Sequence, residues 1–153
     1  MEMRDILAYF SIKNNGEFTK ILRDLDNNVK VTQSDIDHMM DKLKYPYITI
    51  IDDNYPDLLK GMDNPPVVLF YKGNTNLINE NSEMIAKQSS EGVRMIHAFD
   101  TRLTKTGIDM HCVMACECHD DMDMLVDKMN HAHSLLNEVL QIKQSRDSKQ
   151  ILH

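Results

Sequence analysis

The residues most able to do chemistry are concentrated in one run, His111-Cys112-Val113-Met114-Ala115-Cys116-Glu117-Cys118-His119, with His131 and His133 shortly after it. Thiolate and imidazole are the soft ligands that zinc or copper(I) would choose. The spacing works against such a site. On a strand, Cys112, Cys116 and Cys118 share one face, while His111, Glu117 and His119 share the other, so both sets cannot reach one ion. No Cys-x-x-Cys knuckle is present. Beside Met110 and Met114 the cysteines read as small apolar core residues. A smaller site could use His119 with an aspartate from Asp120, Asp121 and Asp123, or with His131. Those acids also stabilise a following helix through its dipole. His131 and His133 are two apart and point to different helix faces. The expectation is no metal, with Cys118, His119 and His131 as the candidates if there is one.

Nucleophilic catalysis needs a thiol or hydroxyl beside a positioned base. Cys118 and His119 point oppositely on a strand. Cys112 lies diagonal to His97 on a hairpin face that reads as buried. None of the five glycines forms a Gly-x-Gly loop, and no two carboxylates are placed for acid and base work. No catalytic residue, cofactor-binding residue or cofactor is assigned, and the chain is not expected to be an enzyme.

The elements that must position these residues are an α+β set. Three amphipathic helices open the chain, with stripes Met3, Ile6, Leu7, Phe10, then Phe18, Ile21, Leu22, Leu25, then Ile36, Met39, Met40, Leu43. Each follows the i, i+3, i+4, i+7 template, and the three should bury their stripes as a small bundle. Asn14-Asn15-Gly16 and Asp26-Asn27-Asn28 separate them, and Thr32 or Ser34 is positioned to cap the third. Tyr47 to Ile51 and Val67 to Tyr71 read as strands. Between them, Tyr55 to Leu59 suits a short helix with Pro56 in its first turn, and Asn64-Pro65-Pro66 an extended backbone. Residues 75–82 read as a linker and 81–90 as a weak helix.

A hairpin follows whose register is calculable. With Thr104-Lys105-Thr106-Gly107 as the turn, Leu103 faces Ile108. One face then carries Met95, His97, Phe99 and Leu103 against Cys116, Met114, Cys112 and Ile108, and reads as the buried face. The other pairs Arg102 with Asp109, Asp100 with His111 and Arg94 with Glu117. A one-residue slip would send the apolar set to the wrong side. A long helix, with Met122, Leu125, Val126, Met129, Ala132, Leu136 and Leu140 as its stripe, runs to about Gln144, before a frayed tail 145–153. The expected architecture is therefore an N-terminal three-helix bundle with a short two-stranded segment, residues 1–76, then a helix–hairpin–long helix module, residues 81–144.

The run Ile50-Ile51-Asp52-Asp53-Asn54-Tyr55-Pro56-Asp57-Leu58-Leu59, followed by Asp63-Asn64-Pro65-Pro66-Val67-Val68-Leu69-Phe70-Tyr71-Lys72-Gly73-Asn74, resembles the DprA/Smf family of bacterial DNA-processing proteins. That family joins a strand, a Tyr-Pro-x-x-Leu turn, a Pro-Pro pair, an apolar strand and a Lys-Gly, after a small helical domain. The resemblance covers about residues 1–76 and rests on Tyr55, Pro56, Leu59, Pro65, Pro66, Leu69 and Gly73, whose own part reads as architectural. It implies a setting in DNA processing and natural transformation, or competence. In the family a Rossmann-like core follows, opening with Gly-Ser-Arg, binding single-stranded DNA and helping to load recombinase. Gly73-Asn74 is followed by no Gly-Ser-Arg here, so no DNA-binding residue is carried over. The second half is similar, in element order alone, to the cytosolic domain of cation diffusion facilitators, a metal-sensing dimer.

Charge bounds the partners. The net charge is −7, with 9 basic and 13 acidic residues through residue 80 and 8 and 11 after it. Phosphate neutralisation supplies most non-specific nucleic-acid affinity, so direct DNA binding is not expected without a partner. No apolar run approaches the ~18 residues of a membrane span, no secretory signal opens the chain, and three clustered cysteines are no disulfide framework. A cytoplasmic chain working through protein contacts, with a partner or as a homodimer, is the expectation. The alternative is a homodimeric interaction or metal-sensing module built on the hairpin and long helix.

Overall fold

A computed structural model describes residues 1–78, 83–88, 94–104 and 107–151. Helices α1 (Met3–Lys13), α2 (Phe18–Asp26) and α3 (Gln33–Lys42) come first, then strand β1 (Tyr47–Thr49), short helix α4 (Asp57–Lys60) and strand β2 (Val68–Gly73). A 3-10 turn (Thr75–Ile78), strands β3 (Glu83–Gln88), β4 (Arg94–Thr104) and β5 (Gly107–Cys116), a second 3-10 turn (His119–Asp121) and helix α5 (Met122–Ile151) complete it. The chain separates into two compact units, Met1–Met122 and the residues from Asp123 onward.

The helices follow from local chemistry. Thr32 caps α3: its hydroxyl accepts from the Asp35 N–H at 3.1 Å, and the Asp35 carboxylate accepts from the Thr32 N–H at 2.9 Å. This reciprocal box satisfies two donors that a helix start leaves open. Helix α1 ends where Asn15 and Gly16 take φ of 53° and 77°, the left-handed geometry these residues tolerate best. Leu7, Ala8 and Phe10 of α1, Ile21 of α2, and Ile36 and Met39 of α3 are buried. Met3, Leu22 and Met40, placed on the expected stripes, are exposed.

All five strands form one antiparallel sheet in the order β1-β2-β5-β4-β3. The β4–β5 register is the expected one, Leu103 opposite Ile108 and Met95 opposite Cys116, with Arg102 facing Asp109 and Asp100 facing His111. Lys105 and Thr106 of its turn lie outside the described residues.

Several expectations are corrected. The weak helix at 81–90 is strand β3, paired from Glu83–Phe99 to Gln88–Arg94; its neighbour in the sheet overrides a weak local preference. Residues 79–82 and 89–93 lie outside the described set. Modules 1–76 and 81–144 do not separate, because β2 pairs with β5 from Phe70–Cys116 to Gly73–Val113. The hairpin's apolar core is not confined to the face carrying Met114 and Cys116. Ile96, Ala98, Val113 and Ala115, on the opposite face, join Ile48, Tyr55, Leu59, Leu69, Leu77 and Ile78 in one buried cluster. Here both faces of β4 and β5 carry buried residues where β5 lies beside β2, Ile96, Ala98, Val113 and Ala115 on one and Met114 and Cys116 on the other. Asn64 takes a φ of 52° instead of an extended backbone. The tail expected to fray from 145 is helical through Ile151, where Arg146, Lys149 and Gln150 favour helix.

One polar pair holds the place where β4 starts and β5 ends. Glu117 is 3 % exposed. Its Oε1 accepts from Arg94 Nη2 at 2.6 Å and Nε at 3.2 Å, and its Oε2 accepts from the Arg94 backbone N–H at 2.9 Å. The Glu117 N–H donates to the Arg94 carbonyl, and its own carbonyl accepts from the buried Ser11 hydroxyl at 3.2 Å. Breaking such a pair strands a buried charge. Glu117→Leu or Arg94→Met alone should lower unfolding free energy by about 3–5 kcal/mol, and the double variant by distinctly less than the two combined, measured by urea denaturation.

Candidate functional site: the Tyr-Pro to Pro-Pro segment

The connection from β1 to β2 holds most residues singled out by motif. Its ends close on one hydrogen bond, the Ile50 N–H donating to the Val67 carbonyl at 2.9 Å. Pro56 is buried at the N-cap of α4 with φ −61°. Tyr55 and Leu59 are buried in the cluster with Ile48 and Leu69. The Tyr55 hydroxyl donates to the Pro66 carbonyl at 2.7 Å. Burial raises the Tyr55 phenol above its ordinary range, with the neighbouring Glu117 adding to the rise and Arg94 opposing it, so it stays a donor at neutral pH. Pro66 is buried and Pro65 half-buried. The Tyr-Pro turn and the Pro-Pro pair are thus the two ends of a single clasp.

Gly73 ends β2 with φ +108°, and a Cβ there would stand 2.2 Å from the Cys112 carbonyl oxygen. Only glycine lets β2 and β5 approach this closely. Gly73→Ala should cost about 3 kcal/mol or more, combining strain with the clash. Tyr55→Phe, which removes only the clasp hydrogen bond, should cost about 1 kcal/mol. Denaturant midpoints of the two variants compare them directly.

A second cluster fixes the entry to the segment and was not legible beforehand. Arg4 of α1 donates to both carboxylate oxygens of Asp52, at 3.1 and 3.2 Å, and to the Tyr47 carbonyl at 3.2 Å. Its guanidinium lies 4.6 Å from the Tyr47 ring centroid. The Tyr47 hydroxyl donates to Asp5, and the Thr49 N–H to Asp52 at 2.8 Å. Burial pushes the Asp52 carboxyl up, but the Arg4 hydrogen bond, the Thr49 N–H and the Arg4 charge together hold it below the usual carboxylate range. The only sequence trace of this is an Arg-Asp pair in the first helix.

A carboxyl depressed on folding stabilises the native state above its unfolded value, near pH 4. That contribution fades as pH falls through the lower folded value. Wild-type stability should therefore drop as pH falls below about 4, and Asp52→Asn should show a shallower drop in urea midpoints on the same acid side.

The metal candidates are placed otherwise. The His119 Nε2 accepts from the Lys44 N–H at 3.2 Å, its Nδ1 is 3.6 Å from Asp120, and its ring meets Phe70 edge-on at 5.0 Å. Cys118 is buried, and burial raises its thiol. Cys116 is pushed up to about 12, chiefly by burial, and burial also raises Cys112. Protonated thiols are poor ligands and nucleophiles. His131 is an exposed residue of α5, in the second unit. Among the described residues no group of three His, Cys, Asp or Glu side chains is arranged to hold a metal ion.

Residues missed by motif reading are Ser11 and Gly16. Gly16 looked like turn punctuation, yet a Cβ there would stand 2.5 Å from the Glu117 carbonyl oxygen. It is the point where the chain leaving α1 presses on the end of β5.

Part of the chain is similar to a known family. Residues 46–116 match the family model of DNA recombination-mediator protein A, that is, a DprA-like segment. The match starts at Pro46 and runs to Cys116, so it leaves out the three helices that the resemblance included and takes in strands β3 to β5. No curated protein and no solved structure matches the chain. Among the described residues, no helix is long and apolar enough to cross a membrane.

Proposed function

We propose that this chain is a non-enzymatic, DprA-related module that serves DNA processing during natural transformation through protein contacts, without the family's single-stranded DNA-binding core. The observation that carries the reading is the family match over residues 46–116. Its motif residues are used as architecture: Tyr55, Pro66, Leu69 and Gly73 are spent on a clasp, a core and a close strand approach. The pairings β1–β2, β2–β5, β5–β4 and β4–β3 are all antiparallel. A Rossmann-like core instead binds its ligand at the carboxyl ends of parallel strands. The net charge of −7 also disfavours phosphate contacts.

A second reading, self-association, draws on α5, where Met124, Leu135 and Val139 are exposed. Their spacings of 11 and 4 residues put them within about 60° of one another around the helix.

The two readings are tested together. Fluorescence anisotropy with a labelled 30-nucleotide single strand at physiological salt should show no binding at micromolar protein. Biolayer interferometry against a bacterial strand-exchange recombinase should show a saturable complex. Tight single-strand binding by the chain alone, or no complex with the recombinase, would sink the first reading. Light scattering that gives a monomer at every concentration would remove the second.

A further inference from the structure

The outer side of the β1–β2 connection carries a feature that its architectural role does not explain. Helix α4 divides its two leucines: Leu59 is 1 % exposed and in the core, while Leu58 is 54 % exposed. Ile51 is 55 % and Met62 38 % exposed on the same excursion. Leu58 and Met62 are one helical turn apart in sequence. Turns ordinarily place polar residues at solvent-facing positions, and none of these three side chains belongs to the buried core of the described residues. Three exposed large apolar side chains on one short excursion are a candidate contact surface. The Arg4–Asp52 pair brings the first turn of α1, with exposed Met3, to the start of the same excursion.

Charge selects the occupant. Residues 50–67 contain Asp52, Asp53, Asp57 and Asp63 against the single base Lys60. Asp52 is engaged by Arg4, and Lys60 lies 3.6 Å from Asp57. Asp53 and Asp63 are exposed on either side of α4 in the chain. The excursion is formally −3 over 18 residues, and with Arg4 set against Asp52 it keeps an excess of −2, still denser than −7 over 153. Exposed apolar residues among such an excess of carboxylates disfavour phosphates and anionic lipid and favour a cationic, apolar-anchored polypeptide.

We propose that the β1–β2 excursion is a docking surface for a basic amphipathic segment of a partner protein, anchored on Ile51, Leu58 and Met62 and steered by Asp53 and Asp63. This deepens the protein-contact reading and rests on it.

The test is an NMR titration of the full, ¹⁵N-labelled chain with a defined probe, an 18-residue helical peptide of leucine and lysine. A leucine–glutamate peptide and a 30-nucleotide single strand are the comparison arms. The lysine peptide should shift amides within 50–67, and the other two should leave them unmoved. Leu58→Asp and the double variant Asp53→Lys/Asp63→Lys should each weaken binding about tenfold or more. All three positions are exposed, so thermal midpoints should stay near wild type; Leu58→Ser repeats the test if Leu58→Asp unfolds the chain.

Shifts located outside 50–67, equal affinity of the variants, or equal binding of the glutamate peptide would overturn the proposal. So would shifts in 50–67 that grow with protein concentration before any peptide is added, because a second copy would then be the occupant. Recombinase binding that survives Leu58→Asp and the charge reversal would remove this surface and leave the protein-contact reading standing. Peptide docking at 50–67 without any recombinase complex would do the reverse.

Discussion

The buried Arg94–Glu117 pair is the interaction on which the rest of the sheet depends. A carboxylate at 3 % exposure is tolerable only when its oxygens are hydrogen-bonded and its charge is matched. Arg94 meets both requirements, with its guanidinium and its own backbone N–H. The same residue then uses its main chain to hold other parts. The Glu117 N–H extends the β4–β5 ladder by one rung, and its carbonyl takes the Ser11 hydroxyl of α1. Gly16 closes against that carbonyl because it has no side chain. The N-terminal helices and the end of β5 are therefore joined at a point where charge, hydrogen bonding and steric room must all agree. A hydrophobic replacement of Glu117 could keep these main-chain bonds but would take the acceptor away from the Arg94 guanidinium and N–H.

The Tyr-Pro and Pro-Pro elements gain a physical meaning from the clasp. A tyrosine hydroxyl that is buried must find an acceptor, and a carbonyl preceding a strand must find a donor. Tyr55 and Pro66 satisfy each other across 11 residues. The prolines fix the backbone on either side, and Leu59 and Leu69 fill the cluster beneath. Such a motif can persist wherever the turn is kept, whatever function is added around it. Presence of the motif is thus evidence of shared architecture first.

What the sequence disclosed divides along the range of the interactions. The α3 cap, the β4–β5 register and the Arg94–Glu117 pairing follow from spacing within a short stretch, and all three were readable. The N-terminal helices were readable too, although their stripes overstate what is buried. Strand β3 was not readable, because Glu-Met-Ile-Ala-Lys-Gln is extended by its neighbour and not by its own preference. Nor was the insertion of β5 beside β2, a contact between segments that the polar stretch after Gly73 separates in the chain. In the candidate site, the motif residues were identified but the partners that give them meaning were not. Pro66 as acceptor for Tyr55, Cys112 as the neighbour that demands Gly73, and Arg4 as the counter-charge of Asp52 all come from other parts of the chain.

The strand order has a kinetic consequence. Strand β2 lies between β1 and β5, and β5 emerges from the ribosome about 40 residues later. Until then β2 has only the three-residue β1 on one side and a bare row of backbone amides and carbonyls on the other. The local β4–β5 hairpin can zip quickly, but loop closure to β2 must await it, so the sheet's assembly is governed by its most non-local ladder. A nascent or truncated chain ending near residue 78 would present an open, apolar β2 edge, the kind of template on which chains aggregate. Once β5 has docked, that hazard is removed, and the first 122 residues form one compact unit.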